Sequence, residues 1–136
     1  MFKKAIIPLF ILFFLGCPKN EECISLKEAE EMVLYEIVGA DTMEWDSTKL
    51  RVYELPWMLE EGDTIKILKL TGPEEECEDT ALVLPNNCWY FFIDDEPLMD
   101  WIHPCRHVFI YCGGEYEVIE SVYMTDYYYE MIEIKW

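Results

Sequence analysis

The stretch that most limits how this chain can fold is Cys88-Trp89-Tyr90-Phe91-Phe92-Ile93. It is short, dominated by aromatic residues, and apolar at odd and even positions alike. Successive side chains of a strand point to opposite faces, so both faces of this one are apolar and each needs a cover. The sequence therefore predicts a central strand with protein packed above and below it.

Further strands are read around that one. Residues 50–55 form a short run stopped by Pro56, and residues 64–70 form another whose apolar pattern slips phase at Ile67-Leu68, which predicts a bulge. Residues 80–84 precede Pro85-Asn86-Asn87, a turn-forming trio. Residues 106–112 and 115–120 flank Gly113-Gly114, read as the two-residue turn of a tight hairpin. At the end, Ile132, Ile134 and Trp136 alternate with Met131, Glu133 and Lys135.

A helix comes before all of these. Ser25-Leu26-Lys27-Glu28 is a capping box, in which Ser25 caps the third helical N–H and Glu28 returns the bond. Leu26, Ala29, Val33 and Ile37 follow at spacings of three and four, Leu34 and Val38 widen the stripe, and Gly39 supplies the left-handed stop. The expected fold class is α+β: one N-terminal helix packed on a curved antiparallel sheet of about six strands. Residues 25–136 are read as one domain, since a chain 52% hydrophobic and 15% aromatic fills a core.

Residues 1–16 are of another kind. Met1-Phe2-Lys3-Lys4 is basic, Ala5 to Leu15 is apolar apart from Pro8, and Gly16 precedes Cys17. Eleven residues rise about 16 Å as a helix, roughly half a bilayer's hydrocarbon thickness. The run has no polar face with which to end a helix packed on a domain. Basic start, apolar run and Phe14-Leu15-Gly16-Cys17 together resemble a bacterial lipoprotein signal peptide. The resemblance implies cleavage before Cys17, acylation of that cysteine with palmitate-type chains, and a short tether over residues 17–24. It also implies a place in the cell envelope, facing the periplasm or the exterior.

Charge points the same way. Lys3 and Lys4 lie in the signal and all 28 acids lie after it, so the chain from Cys17 carries 8 Lys and Arg against 28 Asp and Glu, a formal −20. Such a surface repels nucleic acid and anionic headgroups, which leaves the covalent lipid as the expected hold on a membrane.

Chemistry-bearing residues gather in His-Pro-Cys-Arg-His-Val-Phe-Ile-Tyr-Cys, residues 103–112. His103, Cys105 and His107 alternate, so an extended chain points them to one face, and Cys112 adds a fourth possible ligand for zinc or copper. Against a metal site, the chain has no CxxC spacing, and its one HxxxH, His103 to His107, lies in a stretch read as extended. Pairing across the Gly-Gly turn puts Tyr111 opposite Tyr116, Phe109 opposite Val118 and His107 opposite Glu120, an arrangement that accounts for more of these residues. No cofactor is therefore expected, with the metal as the alternative.

Export leaves Cys23, Cys77, Cys88, Cys105 and Cys112, an odd number. Cys105 and Cys112 bracket one strand about 23 Å long, beyond the reach of a bridge. If residues 88–93 and 106–112 are neighbours, Cys88 falls near Cys112, and that is the expected pair. Cys77 with Cys105 is the second choice.

Residues 88–120 also resemble PepSY and cystatin-like domains of secreted bacterial proteins, in the strand ending Phe-Phe-Ile-Asp, the following Trp, His-Pro-Cys-Arg, the Val-Phe strand and the Gly turn. The resemblance implies inhibition or binding in trans of a partner such as a peptidase, and carries over no catalytic residue. With no convergent catalytic set in the sequence, the chain is read as a non-enzymatic binding module. Its expected contact residues are Trp57, Trp101, Tyr127, Tyr128 and Tyr129, since Trp and Tyr on loops commonly anchor interfaces.

Overall fold

A computed structural model of the chain describes residues 22–70, 77–100, 102–122 and 124–136. The proposed signal segment, Cys17 and Trp101 lie outside them. Among the described residues, no helix is long and apolar enough to cross a membrane.

The helix begins at the capping box as read. Ser25 Oγ accepts the Glu28 N–H at 3.1 Å, and the Glu28 carboxylate returns to the Ser25 N–H at 3.4 Å. The α-helical part, α1, spans Leu26–Glu31, and the coil then widens to π-helical turns over Met32–Val38. Gly39 ends it at φ 79°, a left-handed conformation that a side chain would strain.

Among the described residues seven strands follow: β1 (Arg51–Glu54), β2 (Thr64–Leu70), β3 (Cys77–Val83), β4 (Cys88–Asp94), β5 (Cys105–Tyr111), β6 (Tyr116–Ser121) and β7 (Ile132–Ile134). They do not make one sheet. Five are ordered β6-β5-β4-β1-β7, all antiparallel, while β2 and β3 pair only with each other. The aromatic run is the central strand of the five.

Its two faces are covered differently. Val52, Phe91, Ile93, Val108, Ile110 and Ile134 face the helix, where Ala29 of α1 and Val33 and Leu34 of the π-helical turns close over them. Cys88, Tyr90 and Phe109 face the other way, toward Ile65, Ile67 and Leu84 of the β2–β3 unit and its approach. The molecule thus has three layers, helix, sheet and hairpin. Burying one side chain of this size stabilises by about 1.5–3 kcal/mol, which is why a doubly apolar strand selects a doubly covered place.

Two sequence expectations are corrected. The pairing of β2 with β3 runs without interruption from Thr64↔Val83 to Leu70↔Cys77, so there is no bulge at Ile67-Leu68. The phase slip has another cause: the Leu68 backbone docks on the end of β6. Leu68 N–H donates to Ser121 Oγ at 3.2 Å, and the Leu68 carbonyl accepts from Ser121 Oγ at 2.8 Å and from Val122 N–H at 3.0 Å.

The second correction concerns the β5–β6 hairpin. Its turn uses three residues, Cys112, Gly113 and Gly114. Gly114 N–H donates to the Tyr111 carbonyl, Gly114 takes φ 92°, and Tyr111 N–H then donates to Glu115. That third residue slides the register by one. His107 faces Ile119, Phe109 faces Glu117 and Arg106 faces Glu120, in place of the expected His107–Glu120, Phe109–Val118 and Tyr111–Tyr116 pairs. A one-residue slip sends each β6 side chain to the opposite face.

Candidate functional site

Cys105 and His107 do share a face, the one under the β2–β3 hairpin, and both are buried. His103 is also buried, just before β5. The two histidines are nevertheless engaged by different neighbours. His103 Nε2 lies 2.8 Å from Asp94 Oδ1, with both side chains about one-tenth exposed. His107 Nδ1 lies 2.7 Å from the Tyr90 hydroxyl, its ring parallel to that of Tyr90 and edge-on to Phe92.

Cys112 has left the cluster altogether. It is joined by a disulfide to Cys23, across 89 residues of sequence. Among the described residues, no group of three or more His, Cys, Asp and Glu side chains is placed to hold a metal ion. The acidic run Asp94-Asp95-Glu96 is likewise divided. Asp95 takes a two-pronged ion pair from Arg106, Nε–Oδ2 3.0 Å and Nη2–Oδ1 2.7 Å, while Asp94 serves His103.

The expected Cys88–Cys112 bridge is thus corrected. Cys88 stands opposite Tyr111, one residue short of Cys112, and its side chain is fully buried in the hairpin-side core. Cys112 lies in the turn, where its carbonyl accepts the Ile24 N–H at 3.2 Å and brings Cys23 alongside. Trp89 Nε1 donates to the Ile24 carbonyl at 2.8 Å and completes the stitch. Residues 23 and 24, read from sequence as tether, are docked on the sheet. Of the second expected pair, Cys105 is buried and the Cys77 side chain lies outside the described residues.

Burial sets the chemistry of these groups. It pushes the Cys88 thiol up to about 12, helped by the charge of Asp63, so the thiolate that a nucleophile or ligand needs is absent near neutrality. Burial also pushes His107 down to about 4, so its imidazole is neutral. Tyr90 is raised above the ordinary phenol range by the same cause. In either tautomer, His107 Nε2 has no hydrogen-bond partner among the described residues.

A second electrostatic pair joins the layers on the helix side. Glu54 of β1 is raised to about 7, first by burial and then by the hydrogen bond and charge of Glu30 on α1. Two carboxylates held together share a proton more readily than they both ionise.

The aromatic contact candidates divide. Trp57 is 46% exposed and Tyr129 is 95% exposed. Tyr127 instead packs edge-on against Tyr90, and Tyr128 against Tyr53, so both belong to the core margin.

A concavity lies elsewhere. A groove of about 1070 Å³ is lined by the consecutive residues Val118–Val122, with Arg106 and Lys69 on its flanks. Sequence reasoning did not find it, because it depends on which strand ends the sheet. No known family, curated protein or solved structure matches this chain.

Proposed function

We propose that this protein is a lipid-anchored component of the bacterial cell envelope whose folded part is a non-enzymatic binding module. The observation that carries the reading is the order of basic start, apolar run and Gly16-Cys17 at the head of a chain whose next cysteine, Cys23, is in a disulfide. Disulfides persist in oxidising compartments, so the Cys23–Cys112 bridge supports export. The burial of His107 and Cys88 supports a role without catalysis, since nucleophile and base need access to substrate.

The inhibitor-like role follows the resemblance to PepSY and cystatin-like domains. One helix across an antiparallel sheet supports it. The β2–β3 layer on the opposite face is outside the layout that the resemblance implies.

Mass spectrometry of protein isolated from a bacterial envelope tests the anchor. A mature chain beginning at an acylated Cys17 is expected, and Cys17→Ser should lower the membrane-bound share by about tenfold or more, because stable anchoring takes more than one acyl chain or signal. Recovery of an intact Met1 with no fatty acid would overturn the proposal.

A further inference from the structure

We propose that the outer edge of β6 is a docking strand for an extended, Lys- and Arg-rich segment of a partner protein. This deepens the binding-module reading by naming its surface and the class of its partner. It does not depend on the lipid.

The five-stranded sheet ends in β6 on one side and in the three-residue β7 on the other. In an antiparallel pair, residues alternate between those that bond the neighbour and those that point away. The Tyr111–Glu115 bond fixes that alternation. Glu117, Ile119 and Ser121 face β5, so Tyr116, Val118 and Glu120 direct their N–H and C=O groups outward. The set ends there: the Val122 N–H is taken by the Leu68 carbonyl, while the Val122 carbonyl turns back to accept the His103 N–H at 3.2 Å. The molecule thus already pairs one backbone group onto this edge, at its far end. Among the described strands, β6 pairs with β5 alone.

Space and apolar contact are present along the same line. The groove of about 1070 Å³ runs past Val118–Val122. Tyr116 and Val118 are 46% and 36% exposed, on the face of the strand that points toward the helix layer. An added strand would bury these alternate side chains and bond the outward backbone groups, the physics of β-augmentation.

Charge selects the occupant. Glu115, Glu117 and Glu120 are the only charged residues from 115 to 120, and the chain from Cys17 carries −20. Of the two cations on the groove flanks, Arg106 is already neutralised by Asp95, and Lys69 stands opposite Glu78 in the β2–β3 pairing. A second copy pairing edge to edge would set these glutamates against their own kind, an arrangement that natural edges use to block self-association. A cationic strand meets the reverse situation.

The test uses the full-length chain in neutral detergent, with an acetylated, amidated octapeptide alternating lysine with valine as the probe. Saturable binding is expected, with amide shifts at Tyr116, Val118 and Glu120. Methylating alternate backbone nitrogens of the peptide should weaken binding at least tenfold, and so should Val118→Pro, which deletes one outward N–H at an edge position. A glutamate–valine peptide should not bind. No binding of the lysine peptide, equal binding of the methylated peptide, or dimerisation through β6 would each overturn the proposal. The methylated peptide tests wild-type protein, so the result stands even if Val118→Pro does not fold. Failure here leaves Cys17 acylation untouched, and failure of the anchor leaves this titration untouched.

Discussion

At the scale of single residues, buried His107 and half-buried Glu54 make stability depend on pH in opposite senses. His107 titrates near 4 in the fold and near 6.5 when unfolded. Between those values the unfolded chain binds more protons, so stability is complete above about 6.5 and is lost as pH falls toward 4. The shift corresponds to about 3 kcal/mol. Urea titrations at pH 7, 5.5 and 4.5 should show that loss for the wild type and a smaller one for His107→Phe. Glu54 behaves inversely. Its folded value near 7 exceeds the unfolded 4.5, so as pH rises between them the unfolded chain releases its proton first and stability falls. Glu54→Gln should therefore raise the melting temperature by a few degrees at pH 8 and leave it unchanged at pH 4, as calorimetry can check. Neither effect was visible in the sequence, where His107 read as a metal-ligand candidate or the partner of Glu120, and Glu54 as one residue of a short strand. One clue existed for His107: a doubly covered strand strands the Tyr90 hydroxyl in the core, so a polar neighbour on the adjacent strand is required.

At the scale of elements, the sequence reading succeeds wherever local chemistry decides. The capping box, the Gly39 stop and the doubly apolar β4 each follow from a few neighbouring residues, and each is found in the fold. It fails where one residue of loop length decides, as in the β5–β6 turn. Gly113-Gly114 reads as a two-residue turn, but only Gly114 has positive φ, and Cys112 joins the turn. A methyl group at Gly114 would meet no atom within 4 Å, so Gly114→Ala tests the backbone alone. It should cost about 1–2 kcal/mol, measured by denaturant melts. Gly113→Ala, without positive φ, should not show that backbone penalty. The disulfide was missed for a related reason. Cys23 was assigned to the tether, and only the Ile24–Cys112 and Trp89–Ile24 hydrogen bonds bring it to the turn. In the chain-entropy picture, a loop of this length stabilises by about 4–5 kcal/mol. Cys23→Ser and Cys112→Ser should each lower stability by up to that amount, and the double variant by little more than either. Additive losses would show that the two cysteines act separately.

At the scale of the whole molecule, the three layers explain why the aromatic contact candidates were only partly informative. Tyr127 and Tyr128 close the margin between hairpin and sheet, whereas Trp57 and Tyr129 remain on the surface. The layers also separate two ends. Cys112 lies beyond one end of β5, while Cys105 and Arg106, at the groove, lie at the other, a span of about 20 Å. Along the chain, the proposed anchor precedes the disulfide and the proposed docking edge follows it. Residues 24–111, including α1 and the strands β1 to β5, lie inside the covalent loop that Cys23 and Cys112 close. A partner gripping β6 while acyl chains hold Cys17 would put the molecule under tension. That tension would cross from Cys23 to Cys112 and pass directly into β6, so that the helix and the aromatic core carry none of the pull.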